Sequence, residues 1–304
     1  MPIKIPNSLP ATVTLEEENI FFMTEERALH QDIRPLRILI LNLMPTKIET
    51  ETQLLRLLSN TPLQVEIELM QMASHTSKNT SPEHLLKFYS VFDDLCDQRF
   101  DGMIVTGAPV ELLPYDEVHY WNELQKILKW AETHVYSVFH ICWAALAGLQ
   151  YHYGINKVAL PEKLSGVYEH RLNSLLHPVV RGFDDFFYAP HSRYCGIDEH
   201  QIEKSNALDV LAYSEQAGPY MIADRSCRNL FVLGHPEYSR MTLAKEYERD
   251  IARNLNPAIP VNYFKDNLPE NGPTFKWKSH ANLLFANWLN HIVYQHTPYD
   301  LSTL

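Results

Sequence analysis

Cysteine is scarce in this chain: there are four in 304 residues, and they lie far apart at Cys96, Cys142, Cys195 and Cys227. No CxxC occurs and no Cys/His cluster has zinc spacing, which argues against a disulfide-stapled fold and a structural zinc site. His191 and Cys195 stand near each other in sequence, but nothing around them completes a metal site, and they read as unrelated residues of a polar loop. No metal and no resident cofactor is expected, and the thiols point to a reducing, cytoplasmic setting. A glycine-rich phosphate loop is also missing. Positive charge is in deficit, with 26 Lys and Arg against 37 Asp and Glu and a net charge of −11, which argues against nucleic acid as a partner. An anionic small molecule stays possible, because one helix N-terminus can hold it. No membrane contact is expected. The most apolar stretch, 135–154, is interrupted by Ser137, His140, Gln150 and His152 and splits better into a strand and a helix. The opening Met-Pro-Ile-Lys-Ile-Pro has no apolar core of signal-peptide length.

Apolar residues make up 45% of the chain and charged residues 21%, enough to bury a sizeable core. Residues 1–34 are rich in Pro and Glu and read as an N-terminal arm, packed on the domain or on a second subunit; 35–304 read as a single domain. Leu36–Asn42 and Asp101–Gly107 are near-continuous apolar runs, as buried parallel strands are. Thr46–Glu49 has capping-box form and predicts a helix to about Leu58. Leu63–Leu69 alternates as a more exposed strand does. Helices are expected over 81–98 and 116–133, and a strand over 135–140. Together these give a β-α repeat over the first half, the pattern of a doubly wound α/β sheet. Five further strands are expected: Lys163–Tyr168, Asp185–Tyr188, Ala207–Tyr213, Tyr220–Ala223 and Leu230–Leu233. A helix over 239–254, a Pro- and Asn-rich loop over 255–273 and a last helix over 276–295 complete the chain as a C-terminal appendage.

The richest stretch runs from Val135 to Gly148: a strand, then His140-Ile-Cys142, then a helix of small residues. Cys142 falls at a helix N-terminus, where unpaired N–H groups favour a thiolate. It also follows the carboxyl end of a strand, where open α/β sheets bind their ligands. His235 and Glu237 follow another buried strand. Nucleophile, base and the group that orients the base are thus all present, as Cys142, His235 and Glu237. Gly107, Ala108 and Glu111 follow the strand 101–106 on the same edge. Backbone N–H groups near Gly107 or Ala108, with that of Trp143, are candidates for an oxyanion hole. Glu111 is a negative charge near the reacting group or a solvated loop carboxylate. Lys47 is a candidate anion ligand or a solvated helix lysine.

The cysteine strand and the His-Pro-Glu strand resemble class I glutamine amidotransferase domains, which have a flavodoxin-like sheet and a Cys-His-Glu triad. His140-Ile-Cys-Trp-Ala144 departs from their Gly-x-Cys-x-Gly elbow. A resemblance over nearly the whole chain is carried by six blocks: Asn42-Leu-Met-Pro-Thr-Lys47, Thr106-Gly-Ala-Pro-Val-Glu111, His140-Ile-Cys-Trp-Ala-Ala145, Glu162-Lys-Leu-Ser-Gly-Val-Tyr168, Ala189-Pro-His-Ser-Arg193 and Gly234-His-Pro-Glu-Tyr238. Together they are similar to the homoserine O-acyltransferases of methionine biosynthesis, which share the amidotransferase-like fold.

That resemblance implies Cys142 as acyl carrier, His235 as base, Glu237 as its orienting partner, and Lys163, Ser192 and Arg249 as substrate ligands. Arg249 is expected about ten residues into its helix, or ~15 Å along the axis, so that only tilt or curvature brings it to a substrate. The resemblance also assigns the choice of acyl donor to position 111, glycine going with succinyl-CoA and glutamate with acetyl-CoA. The physics agrees, since a succinyl carboxylate beside Glu111 is repelled. The implied activity is acetyl transfer from acetyl-CoA, as co-substrate, to L-homoserine through an acyl-cysteine, with ping-pong kinetics and a homodimeric enzyme. A succinyl-CoA donor, an amidotransferase-type cysteine hydrolase and a non-catalytic flavodoxin-like module are the alternatives.

Overall fold

The structure is a computed structural model and describes residues 3–6, 8–17, 23–24, 34–75, 77, 79–298 and 300–304. Much of the arm expected over 1–34 lies outside the described residues. Among the described residues, twelve strands form one sheet. In chain order they are β1 (Ile3–Ile5), β2 (Met23–Thr24), β3 (Leu36–Leu41), β4 (Val65–Met70), β5 (Tyr89–Ser90), β6 (Phe100–Val105), β7 (Val135–Ile141), β8 (Lys157–Leu172), β9 (Phe186–Ile197), β10 (Leu208–Ser214), β11 (Gly218–Asp224) and β12 (Asn229–Val232). Their spatial order is β2-β1-β4-β3-β6-β7-β12-β11-β10-β8-β9, with β5 beside β4. From β2 to β12 the pairings are parallel, and from β12 to β9 they are antiparallel. The fold is thus a doubly wound half joined to an antiparallel half.

The apolar runs explain the parallel half. Ile38 and Ile40 of β3 face one hydrophobic cluster and Leu39 and Leu41 face another, so both faces of the strand are buried and little alternation shows in its sequence. Helix Lys47–Leu58 packs on the first face and helix Trp121–His134 on the second. The C-terminal helix Lys278–Asn287, continued by a π-helical turn at Trp288–Val293, also packs on the first face. Trp288 enters the sheet there and donates its indole N–H to Ser137 Oγ at 3.1 Å.

Several expectations need correction. The capping box at Thr46 is not formed: the Thr46 side chain makes no cap bond, and Glu49 instead pairs with Lys245 at 3.1 Å. The helix expected over 81–98 is two short helices, Pro82–Phe88 and Phe92–Leu95, separated by β5, which adds to the edge of β4. Tyr89 hydroxyl donates to buried Glu51 at 2.6 Å, so a tertiary bond outweighs helical propensity there. The strands expected at 163–168 and 185–188 belong to a hairpin of 16- and 12-residue strands. His191 and Cys195 are accordingly not in a loop but buried on β9. Among the described residues no helix is long and apolar enough to cross a membrane, and no group of three His, Cys, Asp or Glu side chains is arranged to hold a metal.

Candidate active site

The carboxyl ends of β3, β6, β7 and β12 lie along one edge of the sheet, and each is followed by one of the sequence blocks singled out above. A cavity of about 650 Å³ opens on that edge. Cys142, His235, Glu111, Lys163, Ser192 and Arg249 all line it.

Cys142 occupies the N-cap of helix Trp143–Tyr153 with φ 51° and ψ −114°. A non-glycine residue in this region is strained, and the surroundings must hold it there. They do so through the Cys142 N–H, which donates to Val232 O at 2.8 Å, and through the N–H groups of Ala145 and Leu146, which donate to Cys142 O at 2.9 and 3.3 Å. The small side chains Ala144, Ala145, Ala147 and Gly148 are buried, so the helix lies close against the sheet. The Trp143 N–H is in the first turn and has no intrahelical acceptor. Gly107 comes close as well: a side-chain carbon there would fall 3.3 Å from Cys142 Cβ and 3.4 Å from His235 Cε1. Any larger residue would crowd the sulfur and the ring. Ala108 lines the cavity itself.

His235 is 3% exposed. Its Nδ1 lies 2.6 Å from Glu237 Oε1, its main-chain N–H donates to Pro190 O at 2.8 Å, and the Cys142 sulfur is near enough to influence its charge. Tyr238 stacks on the ring with centroids 4.1 Å apart. Burial works against the imidazolium, but Cys142 and Glu237 outweigh it and hold the histidine's pKa well above its usual value. Glu237 thereby fixes the tautomer and the orientation of the ring. Glu237 therefore serves the imidazole rather than the start of the next helix, which begins only at Thr242.

Opposite the triad, two carboxylates of helix Thr242–Ala252 organise the remaining polar groups. Ser192 Oγ donates to Glu246 Oε2 at 2.5 Å, and Tyr238 hydroxyl donates to Oε1 at 2.8 Å. Lys163 Nζ donates to Asp250 Oδ2 at 2.8 Å, and Arg249 Nε and Nη2 donate to Oδ1 at 2.9 and 2.8 Å. Arg249 reaches the cavity because its helix starts later than expected and runs past β9, which puts it about two turns in. Glu246 and Asp250 escaped the sequence reading as site residues, as did the part played by Tyr238. The i, i+4 spacing of Glu246 and Asp250, which puts both on one helix face, was the available signal.

Glu111 is not a solvated loop carboxylate. Its Oε2 accepts the Cys195 N–H at 3.1 Å. Burial raises its pKa, opposed by the N–H groups of Tyr194 and Cys195 and by the charges of His235 and Arg193. Lys47, in contrast, does not reach the cavity. It is 4% exposed, its ammonium donates to Asn42 O and lies 5.4 Å from the Tyr89 ring centroid, and burial, only partly offset by Glu51, lowers its pKa to about 8. It braces the loop after β3 from inside, which corrects its candidacy as an anion ligand.

The fold is of the class I glutamine amidotransferase-like kind, and solved structures bear that out. A glutamine amidotransferase from Thermotoga maritima superimposes with TM-score 0.57 at 10% identity, over 86% of this chain and all of that one. A glutamine amido transferase from Methylobacillus flagellatus does so with TM-score 0.50 at 9% identity, over 88% and 100%. Within that class the chain belongs to the homoserine O-succinyltransferase family, whose model matches residues 2–299. Among its relatives, the homoserine O-acetyltransferases of Acetivibrio thermocellus and Thermotoga neapolitana are each 57% identical over 304 residues, covering 100% of both chains. That of Clostridium acetobutylicum is 56% identical over 301 residues, covering 99% of this chain and 100% of the other.

Proposed function

We propose that this protein is a homoserine O-acetyltransferase. It moves the acetyl group of acetyl-CoA to the hydroxyl of L-homoserine, giving O-acetyl-L-homoserine and CoA in methionine biosynthesis. The observation that carries this reading is the half-buried Glu111 carboxylate in the same cavity as Cys142 and His235. A donor ending in a carboxylate meets repulsion there, and a donor ending in a methyl does not. Full-length relatives named homoserine O-acetyltransferase support it.

In the proposed chemistry His235 takes the Cys142 proton and the sulfur attacks the thioester carbonyl. The Trp143 N–H and the Gly107–Ala108 turn face the developing oxyanion. CoA leaves with the proton from His235, and the acetyl group stays on Cys142 as a thioester of similar energy. Homoserine then binds with its carboxylate toward Lys163 and Arg249 and its ammonium toward Glu246 and Ser192. His235 removes the hydroxyl proton, the oxygen attacks the acetyl carbon, and the Cys142 sulfur leaves and takes that proton back from His235. Acetyl-CoA is a co-substrate, and the reading includes no bound cofactor. Initial rates at varied concentrations of both substrates test it: parallel double-reciprocal lines are expected, and intersecting lines refute the covalent route. The same reading places the enzyme in the cytoplasm, in keeping with its free cysteines, and as a homodimer, which light scattering would test.

A further inference from the structure

Glu111 stands on a loop, not on a strand or helix, yet its carboxylate and its backbone are both tied down. Lys157, the first residue of β8, donates from Nζ to Glu111 O at 2.6 Å and also to Leu113 O, with its ammonium 4.5 Å from the Tyr115 ring centroid. Cys195 of β9 donates its N–H to the Glu111 carboxylate and its Sγ–H to Glu111 O at 3.2 Å. Behind Cys195 lies Arg193, 3% exposed. It donates from Nη1 to Cys195 O at 2.6 Å, from Nη2 to Ala217 O and from Nε to His191 Nδ1 at 3.2 Å. Because His191 Nδ1 accepts, its Nε2 carries the proton toward His170 Nε2, 3.0 Å away. Burial keeps both imidazoles neutral, so the guanidinium is the cation of this buried group. An ordinary surface lysine stays solvated and a buried arginine ordinarily meets a carboxylate. Here Lys157 and Arg193 each bond backbone that holds one side chain.

We propose that Lys157 and Arg193 are positioning residues for acyl-donor selectivity. Lys157 holds the backbone of the Glu111 loop, and Arg193 fixes the carbonyl of Cys195, the residue whose own N–H cradles the carboxylate, so together they hold the charge in place beside the cavity. This deepens the acetyl-transfer reading and rests on it.

The test is the ratio of kcat/KM for acetyl-CoA to kcat/KM for succinyl-CoA. Both are measured on one preparation, so the folded fraction cancels. Wild type, Lys157→Met, Lys157→Arg and Arg193→Lys are each assayed with Glu111 and in a Glu111→Gly background. Lys157→Met is expected to narrow the ratio roughly tenfold, the effect of losing a charge-assisted hydrogen bond, and Lys157→Arg to restore most of it. Arg193→Lys, which keeps charge but loses the fork, narrows it as well. With Glu111→Gly none of the three moves the ratio. Lys157 is partly exposed, so its loss leaves the fold intact, and it decides the matter if Arg193→Lys fails to fold. An unchanged ratio in Lys157→Met, or an equal shift in the Glu111→Gly background, overturns the proposal. A wild-type enzyme that does not prefer acetyl-CoA overturns the acetyl reading beneath it and is recognised from that first measurement.

Discussion

Replacing Glu111 tests whether one charge sets the acyl donor. A succinyl group carries its carboxylate two methylenes beyond the carbonyl that Cys142 attacks, into the region that Glu111 faces. Taking the two charges as about 5 Å apart in a medium of effective dielectric near 20, the repulsion is roughly 3 kcal/mol, or about a hundredfold in rate. Hydrogen bonds from the Tyr194 and Cys195 amides, and the nearby charges of His235 and Arg193, oppose the burial that would neutralise Glu111. Wild type is therefore expected to favour acetyl-CoA over succinyl-CoA in kcat/KM by about that factor. Glu111→Gly abolishes the penalty and adds room for the longer chain. Glu111→Gln separates the two effects, because it removes the charge and keeps the length: most of the gain in succinyl use should already appear there if charge dominates. Competition between the two donors, with the products resolved by mass spectrometry, reads the ratio directly. A ratio that stays within about threefold of wild type in both variants would refute the electrostatic reasoning, since that is less than 1 kcal/mol.

Three further outcomes follow from the same geometry. Burial raises the Glu111 pKa above 4.5, so as pH falls through the raised value the carboxylate becomes neutral and the acetyl-over-succinyl preference declines. Above that value it is flat, and in Glu111→Gln this component of the profile is absent. Asp250→Asn removes the charge that pairs Lys163 and Arg249, and the KM for homoserine should rise roughly tenfold with that for acetyl-CoA unchanged; equal changes in both would place Asp250 outside the homoserine site. Gly102→Ala would put a carbon 2.8 Å from the Trp288 ring and 2.9 Å from Ile38 Cδ1, so urea unfolding should show a loss of about 1–3 kcal/mol, and an unchanged midpoint would contradict the docking of the C-terminal helix on the sheet.

In the parallel half, β3 and β6 are legible because they are buried on both faces and so appear as apolar runs, and β4 is legible from its alternation. The hairpin of β8 and β9 was legible only in part. Its strands extend through Pro161 and Pro190 and through polar residues such as Glu162 and Arg193, which single-sequence patterning reads as loop. Lys157, Arg193 and Cys195 gain their meaning only when β8 pairs with β9 at Ala159–Cys195. The short helices around β5 were missed because Tyr89 takes its place from a buried contact with Glu51, which lies far away in sequence. The triad residues stood out because each follows a strand end, and in an open sheet those ends share one edge. Glu246 and Asp250 stay hidden among the other charges of their helix until that helix is laid beside Ser192 and Lys163.

The central claim is that Cys142 carries the acyl group. Intact-protein mass spectrometry after brief exposure to acetyl-CoA without homoserine tests it most directly. One acetyl mass should appear, map to the peptide containing Cys142, vanish on addition of homoserine and be absent from Cys142→Ala. A protein that forms O-acetyl-homoserine at the normal rate with no such adduct, or with alanine in place of the cysteine, would contradict it.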